Sequence, residues 1–191
     1  MEFIMQAFRL SAIPVHRGGP YDSSCLALYR SAFPIIERIP YGDLHAYTEQ
    51  DLSDFGALLD NEEFVGLYFV MHQTGASCLL YFAVRGDLRG QGYGSAALAL
   101  LRELYPAGLF LFVEEPDAAR PGNDLRLSRI RFYERNGLAD AGFAYPLEIV
   151  YRLMTLNCQI VAADVDRACA QVMPAYLVGK GNIDTDPPAS R

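Results

Sequence analysis

Three glycines at alternate positions, Gly90, Gly92 and Gly94, stand where an apolar run that ends at Val84 gives way to a helical pattern. Because glycine has no Cβ, the backbone N–H groups of such a loop can turn toward one point. The N-terminus of the following helix adds partial positive charge there, and Arg89 adds a full positive charge. The segment therefore predicts a phosphate-binding loop, although a glycine-rich turn that merely starts a helix has the same composition.

The same glycines also match a dinucleotide-binding fingerprint, GxGxxA, from Gly92 to Ala97. Glu114 follows at about the distance expected of a ribose-binding acid. In the dinucleotide fold, however, the first glycine comes almost directly after a strand that opens a βαβ unit. Here a charged loop separates Val84 from Gly92, and the preceding runs are typical of an antiparallel meander. A Walker loop is excluded because no GK[ST] sequence follows.

Two motifs together resemble the GNAT superfamily of N-acetyltransferases. Arg89–Gly94 fits the acyl-CoA-binding pattern [R/Q]-x-x-G-x-[G/A], and Phe132–Leu138 is similar to the second signature, FYExxGF. Leu138 replaces the commoner Phe in that signature. The order of predicted elements agrees with that of the superfamily over roughly Phe8–Leu156. The segment Ser31–Pro40 resembles the corresponding segment of an uncharacterised bacterial subgroup, and this likeness does not indicate a substrate.

The resemblance implies acetyl-CoA as cosubstrate, with its pyrophosphate on the loop N–H groups. The pantetheine arm is expected along the strand that ends at Val84, in a gap between Tyr81–Val84 and Leu111–Glu114. A backbone N–H near Phe82 or Ala83 would polarise the acetyl carbonyl. The cofactor-binding residues implied are Phe82, Ala83, Val84, Arg89, Gly90, Gln91, Gly92, Tyr93, Gly94, Ser95 and Asn123, although Asn123 is equally suited to cap the next helix.

The resemblance also implies direct attack of a neutral amine on the thioester, with Tyr133 as proton donor to the CoA sulfur. A phenol with a pKa of about 10 can protonate a nascent thiolate. Without the motif, Tyr133 would be taken for a core residue beside Leu127 and Ile130. Glu114 is the expected catalytic base, with Glu115 as an alternative; either would act through water, and a solvated strand end is the ordinary interpretation of both.

The loop between the first two predicted helices borders the acceptor site in this superfamily. Glu37 in that loop and Tyr81 are therefore expected to contact the acceptor, although Glu37 could instead pair with Arg38 on the surface. An acidic rim attracts cations, which suggests a small-molecule or peptide amine that is cationic, against the alternative of a solubilising face. The acidic rim is suggested by the stretch from Tyr41 to Glu63, which has no Lys or Arg. It contains seven acids: Asp43, Glu49, Asp51, Asp54, Asp60, Glu62 and Glu63.

The elements that must position these residues follow from hydrophobic periodicity and turn signals. They predict an α/β (α+β) acyl-CoA N-acyltransferase fold with a central mixed sheet of about six or seven strands. The sheet is antiparallel first and parallel around the cofactor helix, and helices flank it. The predicted strands are Phe8–Ile13, Ala57–Leu59, Phe64–Met71, Cys78–Val84, Leu109–Val113 and one or two within Phe143–Leu156. The predicted helices are Tyr21–Phe33, one within Gly42–Phe55, Gly92–Tyr105, one from Asn123 or Asp124 to about Asn136, and Ala163–Tyr176.

This order suggests one acetyltransferase domain over residues 1–160, with an appended C-terminal helix over 161–180. The helix could pack on the same sheet or form a dimer contact. Residues 181–191 contain almost nothing to bury, and we expect them to form a disordered tail.

The 191 residues carry 23 acidic and 16 basic side chains, for a formal net charge of −7. This balance disfavours nucleic acid and anionic membranes as partners. No apolar stretch is long enough to span a membrane, and the first ten residues do not resemble a signal peptide. Four scattered cysteines without a CxxC pair disfavour a zinc site and fit a reducing compartment. We therefore expect a cytoplasmic protein without a metal, as a monomer or a homodimer.

Overall fold

The computed structural model describes residues 9–146 and 150–181 of the chain. Within these residues, seven strands form one sheet in the order β1-β2-β3-β4-β5-β7-β6. Neighbouring strands run antiparallel except β4 and β5, which are parallel. This arrangement confirms the predicted mixed sheet. The strands are β1 Leu10–Pro14, β2 Ser53–Asp60, β3 Glu63–Met71, β4 Ser77–Val84, β5 Leu109–Glu114, β6 Ala139–Pro146 and β7 Val150–Leu156.

Five α-helices of the described chain flank this sheet, and short 3₁₀ turns at Ile35–Glu37 and Gly86–Leu88 join some of the elements. Among the described helices, none combines the length and the apolar character needed to cross a bilayer. The helices are α1 Asp22–Ala32, α2 Tyr41–Glu49, α3 Tyr93–Leu104, α4 Asn123–Arg135 and α5 Ala162–Gly181.

One predicted strand is too short. The strand predicted at Ala57–Leu59 spans Ser53–Asp60, because its whole length pairs with β3. The preceding helix accordingly ends at Glu49, and Asp51 follows with a φ of +58°. The choice between one strand and two after α4 is settled in favour of two, β6 and β7.

Some predictions fall outside the described residues. They concern the first eight residues, which include Phe8 at the start of the first predicted strand, the stretch 147–149 and the tail from 182 onward.

The sheet is buried on both faces, which explains why its strands are apolar without strict alternation. On one face, α1, α2 and α5 pack against a cluster that includes Phe55, Phe69 and Tyr81. On the other face, α3 and α4 pack against a cluster that includes Tyr68 and Leu111. The cofactor helix and the helix of the second motif therefore lie on the same side of the sheet.

The C-terminal helix packs on its own chain. Val165 of α5 is fully buried, and Ala168 and Cys169 are nearly so, in the cluster that α1 and α2 also cover. The hydroxyl of Tyr47 in α2 donates to the main-chain carbonyl of Gln171 at 3.1 Å. Of the two arrangements left open by the sequence, the described part of α5 adopts the intramolecular one.

Candidate active site

A cleft opens in the sheet because β4 and β5 are paired only at their N-terminal ends. The parallel ladder stops after Cys78 and Phe110, whereas β4 continues to Val84 and β5 to Glu114. Leu80 is an extra residue in β4 relative to β3. Such a bulge bends and twists the strand that carries it. The predicted gap between these two strands is therefore present.

The register of β4 decides which main-chain groups face this cleft. The N–H of Arg85 donates to the carbonyl of Val65 at 2.9 Å. Since hydrogen-bonded and non-hydrogen-bonded pairs alternate along an antiparallel ladder, Ala83 bonds toward β3 as well. The main-chain groups of Phe82 and Val84 then point toward β5. Of the two N–H groups expected to donate to an acetyl carbonyl, that of Phe82 points into the cleft, whereas that of Ala83 points toward β3.

The glycine loop leads from this cleft into α3. Gly90 and Gly92 have φ values of +75° and +95°, which glycine adopts without the steric cost of a Cβ. The first helical bond of α3 runs from the N–H of Ala96 to the carbonyl of Gly92 at 3.0 Å. The N–H groups before Ala96 therefore have no partner within the helix. Together with the exposed Arg89, they form the predicted anion-binding geometry.

The loop is held in place by its neighbours. A Cβ added to Gly94 would lie 3.0 Å from the ring of Phe132, so glycine lets α3 approach α4 closely. The hydroxyl of Tyr93 donates to the Asp60 carboxylate at 3.0 Å. The side-chain amide of Gln91 donates to a main-chain carbonyl of the preceding turn at 2.8 Å. The side chains of Tyr93 and Gln91 thus stabilise the loop, which leaves their N–H groups as the ligand contacts expected of them. Ser95 lines a groove between α3 and α4 together with Arg102 and Arg135.

Tyr133 lies in α4 and is buried, with 9% of its surface exposed. Burial raises the pKa of its phenol to about 12, although the guanidinium of Arg129 acts in the opposite direction. The phenol is therefore protonated at neutral pH and can act as a proton donor. Its neighbour Phe132, with ring centroids 5.2 Å apart, links it to the start of α3.

Asn123 does not cap α4. The N-cap position belongs to Gly122, which has a φ of +78°, and no side chain bonds to the helix start. The Oδ1 atom of Asn123 is buried and has no hydrogen-bond partner in the described protein. An unpaired buried acceptor costs about 1–3 kcal/mol, so this atom is suited to accept a hydrogen bond from a ligand. Capping by Asn123 or Asp124, one of the sequence-based alternatives, is wrong.

The two acids at the end of β5 are both engaged in ion pairs. Glu114 lies 2.7 Å from Nε of Arg126 and 3.0 Å from Arg120. Glu115 binds Arg152 in a bidentate pair at 2.6 and 2.9 Å. The charge of each carboxylate is thus already compensated, which disfavours the role of catalytic base expected for Glu114.

Two tyrosine hydroxyls hold the turn Ile35–Glu37 and the residues after it by hydrogen bonds. The hydroxyl of Tyr81 donates to the carbonyl of Glu37 at 2.8 Å and accepts from the N–H of Ile39 at 3.0 Å. The hydroxyl of Tyr29 donates to the carbonyl of Ile39 at 2.9 Å. Because Tyr81 is 5% exposed and its hydroxyl binds this turn, it positions the acceptor-side loop; the expected direct contact with an acceptor does not fit.

The carboxylate of Glu37 is half-buried and has no hydrogen bond or ion pair among the described residues. Burial raises its pKa, Arg129 opposes the rise, and the negative charge of Glu114 adds to it. These interactions place Glu37 beside the end of β5 and the face of α4 that carries Arg129. Glu37 thus feels the charge of Glu114, and the guanidinium of Arg129 lowers the pKa of both Glu37 and Tyr133.

The acidic window does not form a single rim around this cleft. Three of its members are bound elsewhere in the described chain, near the edges of β2 and β3. Asp54 binds Tyr105 and His72, Asp60 binds Tyr93, and Glu63 binds Arg85. The carboxylates of Asp54, Asp60 and Glu63 are therefore engaged with other side chains of the described residues.

The hydrogen bonds by which the Tyr29 and Tyr81 hydroxyls hold the turn Ile35–Glu37 could not be predicted from the sequence, because both tyrosines fit an apolar pattern.

Among the described residues, no group of three or more His, Cys, Asp or Glu side chains is arranged to hold a metal ion.

Comparison with known proteins gives a structural but not a sequence relationship. No protein-family model matches the chain, and no curated protein sequence matches it. A GNAT-family protein from Bacteroides thetaiotaomicron superposes with a TM-score of 0.69 at 21% identity, over 85% of this chain and 95% of the other.

Two further structures have assigned acetyl acceptors. An aminoglycoside 6′-N-acetyltransferase complexed with coenzyme A gives a TM-score of 0.59 at 16% identity, over 76% of this chain and 96% of the other. The ribosomal-protein-S18-alanine N-acetyltransferase from Escherichia coli gives 0.56 at 18% identity, over 80% and 96%. The chain thus has the fold of the GNAT acetyltransferases.

Proposed function

We propose that this protein is an N-acetyltransferase that transfers the acetyl group of acetyl-CoA to a primary amine within a ternary complex. The observation that carries the proposal is the cleft between β4 and β5, which opens directly onto the glycine loop at the start of α3. The cleft presents main-chain groups, and the loop presents unpaired N–H groups, in the order that a long ligand with an anionic end would need. A structural neighbour that was crystallised with coenzyme A supports this assignment.

The residues present fit acetyl-CoA at three places. The N–H of Arg89 donates to the carbonyl of Gly86 at 3.4 Å, whereas the N–H groups from Gly90 to Ser95 suit a pyrophosphate. The main-chain groups of Phe82 and Val84 suit the amides of a pantetheine arm. The buried Oδ1 of Asn123, which has no partner in the described protein, suits one more amide donor.

Acetyl-CoA supplies a thioester, whose carbonyl carbon is open to attack by an amine. The N–H of Phe82 would stabilise the oxygen that becomes negative in the transition state, an effect of about 3 kcal/mol for one donor. Tyr133 would protonate the departing sulfur, since its pKa of about 12 keeps the phenol protonated until the thiolate forms. This assigns an electrostatic role to β4 and a proton-transfer role to α4.

The acceptor is a small-molecule or peptide amine. The titles of two structural neighbours name an aminoglycoside and the alanine of a ribosomal protein as acceptors of those enzymes, and both carry a primary amine. None of the four cysteines forms a disulfide, which is typical of a reducing compartment. We therefore place the enzyme in the cytoplasm, as a monomer or a homodimer.

The experiment that tests this function is an acetyl-transfer assay on the full chain. Acetyl-CoA is mixed with polyamines, aminoglycosides and peptides with a free α-amine, and both thiol release and the mass of the acetylated amine are measured. In parallel, calorimetry compares binding of acetyl-CoA with binding of NADH. Binding of acetyl-CoA without turnover of any amine would identify a non-catalytic CoA-binding module, and binding of NADH alone would identify an oxidoreductase; either result overturns the proposal.

A further inference from the structure

Three carboxylates border the cleft, and they differ in whether a positively charged side chain is paired with them. Glu114 contacts two guanidinium groups and Glu115 is paired with Arg152. Glu37 alone among these three has no hydrogen-bond or ion-pair partner in the described chain. A carboxylate whose charge is compensated by arginine is a weak proton acceptor, whereas a partly desolvated and unpaired one is a stronger acceptor.

The main chain at Glu37 is held by strand β4. Its main-chain carbonyl accepts the Tyr81 hydroxyl at 2.8 Å. Tyr81 directly precedes Phe82, whose N–H faces the cleft. The strand that carries the proposed oxyanion donor therefore also holds the turn that carries the unpaired carboxylate.

We propose that Glu37, and not Glu114, is the catalytic base that removes the proton from the acceptor amine. This proposal rests on the proposed acetyltransferase function and deepens it. Because the anionic Glu37 would meet the amine on the acceptor side, it also favours amines that arrive as cations. A single carboxylate at the point of attack thus replaces the acidic rim as the source of selectivity.

The proton balance of this step is simple. An amine that arrives as a cation first loses one proton to solvent. The nitrogen of the neutral amine then forms a bond to the acetyl carbon, and the carbon–sulfur bond breaks with its electron pair left on sulfur. Glu37 accepts the proton that the nitrogen loses, and Tyr133 donates a proton to the sulfur. The net result is that Tyr133 has lost one proton and Glu37 has gained one. Exchange with solvent restores both groups before the next turnover.

The groups around Glu37 determine how its protonation depends on pH. Burial and the charge of Glu114 both raise its pKa, and Arg129 lowers it, with a net rise. Since the base must be ionised, activity rises with pH through this elevated pKa and is lost below it. The neighbouring charged and titratable groups are Arg129 of α4, Glu114 of β5, Tyr81 of β4 and Arg38, which follows Glu37 in the chain.

The test compares the wild type with Glu37→Gln, Glu114→Gln and the matched control Glu103→Gln. Glu103 is an exposed residue of α3. For each variant, kcat and KM for a responsive amine are measured across pH, and acetyl-CoA binding is measured by calorimetry. We expect Glu37→Gln to lower kcat about 100-fold, within the range typical of general bases, to lose the acidic limb of the pH profile, and to bind acetyl-CoA as the wild type does.

A second variant separates chemistry from folding. Glu37→Ala should regain part of its rate when formate is added, because the small carboxylate can occupy the vacated position. Glu103→Gln should leave both the rate and the profile unchanged. If Glu37→Gln keeps the wild-type rate and acidic limb, or if Glu114→Gln loses that limb instead, this inference is wrong while the acetyltransferase function stands. If the wild type acetylates no amine, the proposed function and this inference both fail.

Discussion

A Cβ placed on Gly94 would lie 3.0 Å from the ring of Phe132, closer than side chains ordinarily approach. The first turn of α3 is therefore packed so closely against α4 that a methyl group would fit only if the Phe132 ring moved by a few tenths of an ångström. This contact joins the glycine motif to the tyrosine motif, because Phe132 directly precedes Tyr133. The separation between the phosphate-binding loop and the proton donor depends on it.

The first prediction concerns this contact. Gly94→Ala should push the start of α3 away from Phe132, lower the free energy of unfolding by about 1–3 kcal/mol and weaken acetyl-CoA binding. Gly86→Ala is the matched control, because its Cβ would meet nothing within 4 Å and its φ is not in the left-handed region. Denaturant unfolding and calorimetry measure the two effects, and equal acetyl-CoA affinity in both variants would contradict the role given to Gly94.

The second prediction concerns Tyr133. Tyr133→Phe removes the hydroxyl that we propose protonates the sulfur and should lower kcat about 100-fold, with little change in stability since the buried ring is retained. Tyr105→Phe removes another tyrosine hydroxyl, one that donates to Asp54 outside the cleft, and should leave kcat unchanged. Stopped-flow measurement of thiol release distinguishes the two. A full rate in Tyr133→Phe would show that water protonates the sulfur.

The third prediction concerns the tyrosine that holds the acceptor-side turn. Tyr81→Phe leaves the buried N–H of Ile39 without its acceptor, which should cost about 1–3 kcal/mol of stability. The loosened turn should also raise KM for the amine, while acetyl-CoA affinity stays the same. Tyr41→Phe provides the comparison, because its hydroxyl binds Asp22 at 2.8 Å and not the turn. It should lose stability without a change in KM; a shared rise in KM would mean that general destabilisation explains both.

The fourth prediction concerns Asn123, whose replacement should weaken acetyl-CoA binding without lowering stability. Because its buried Oδ1 has no partner among the residues that the structure describes, Asn123→Leu should not lower the thermal unfolding temperature of the free protein. It should weaken acetyl-CoA binding about tenfold, or about 1.4 kcal/mol. Asn136→Ala, which removes a 2.7 Å bond to the carbonyl of Phe132, should show the reverse pattern. Unchanged acetyl-CoA affinity in Asn123→Leu would remove Asn123 from the binding site.

The sequence predicted the fold class, the glycine loop and the helix that carries Tyr133, because each leaves a local signature in residue type and spacing. The full length of β2 was missed because the pairing of Ser53–Phe55 with β3 is a long-range interaction. No local pattern reports it.

The ion pairs of Glu114 could not be predicted from the sequence for a related reason. Glu114 ends a strand at the cleft, but its two partners come from later parts of the chain, Arg120 from the loop before α4 and Arg126 from α4 itself. Similarly, the alternation that turns Phe82 toward the cleft and Ala83 away from it depends on the register with β3. Charge compensation and register are properties of packed neighbours, so they appear only once the strands and helices are assembled.

The short ladder between β4 and β5 has a mechanical consequence. The sheet consists of a four-stranded half and a three-stranded half, and in the described chain only two residue pairs join them. A ligand whose amides bond to Phe82 and Val84 would act as an additional strand along one side of the gap. The unliganded protein is therefore an incomplete sheet, and binding should slow amide hydrogen exchange most in the half that ends at Val84.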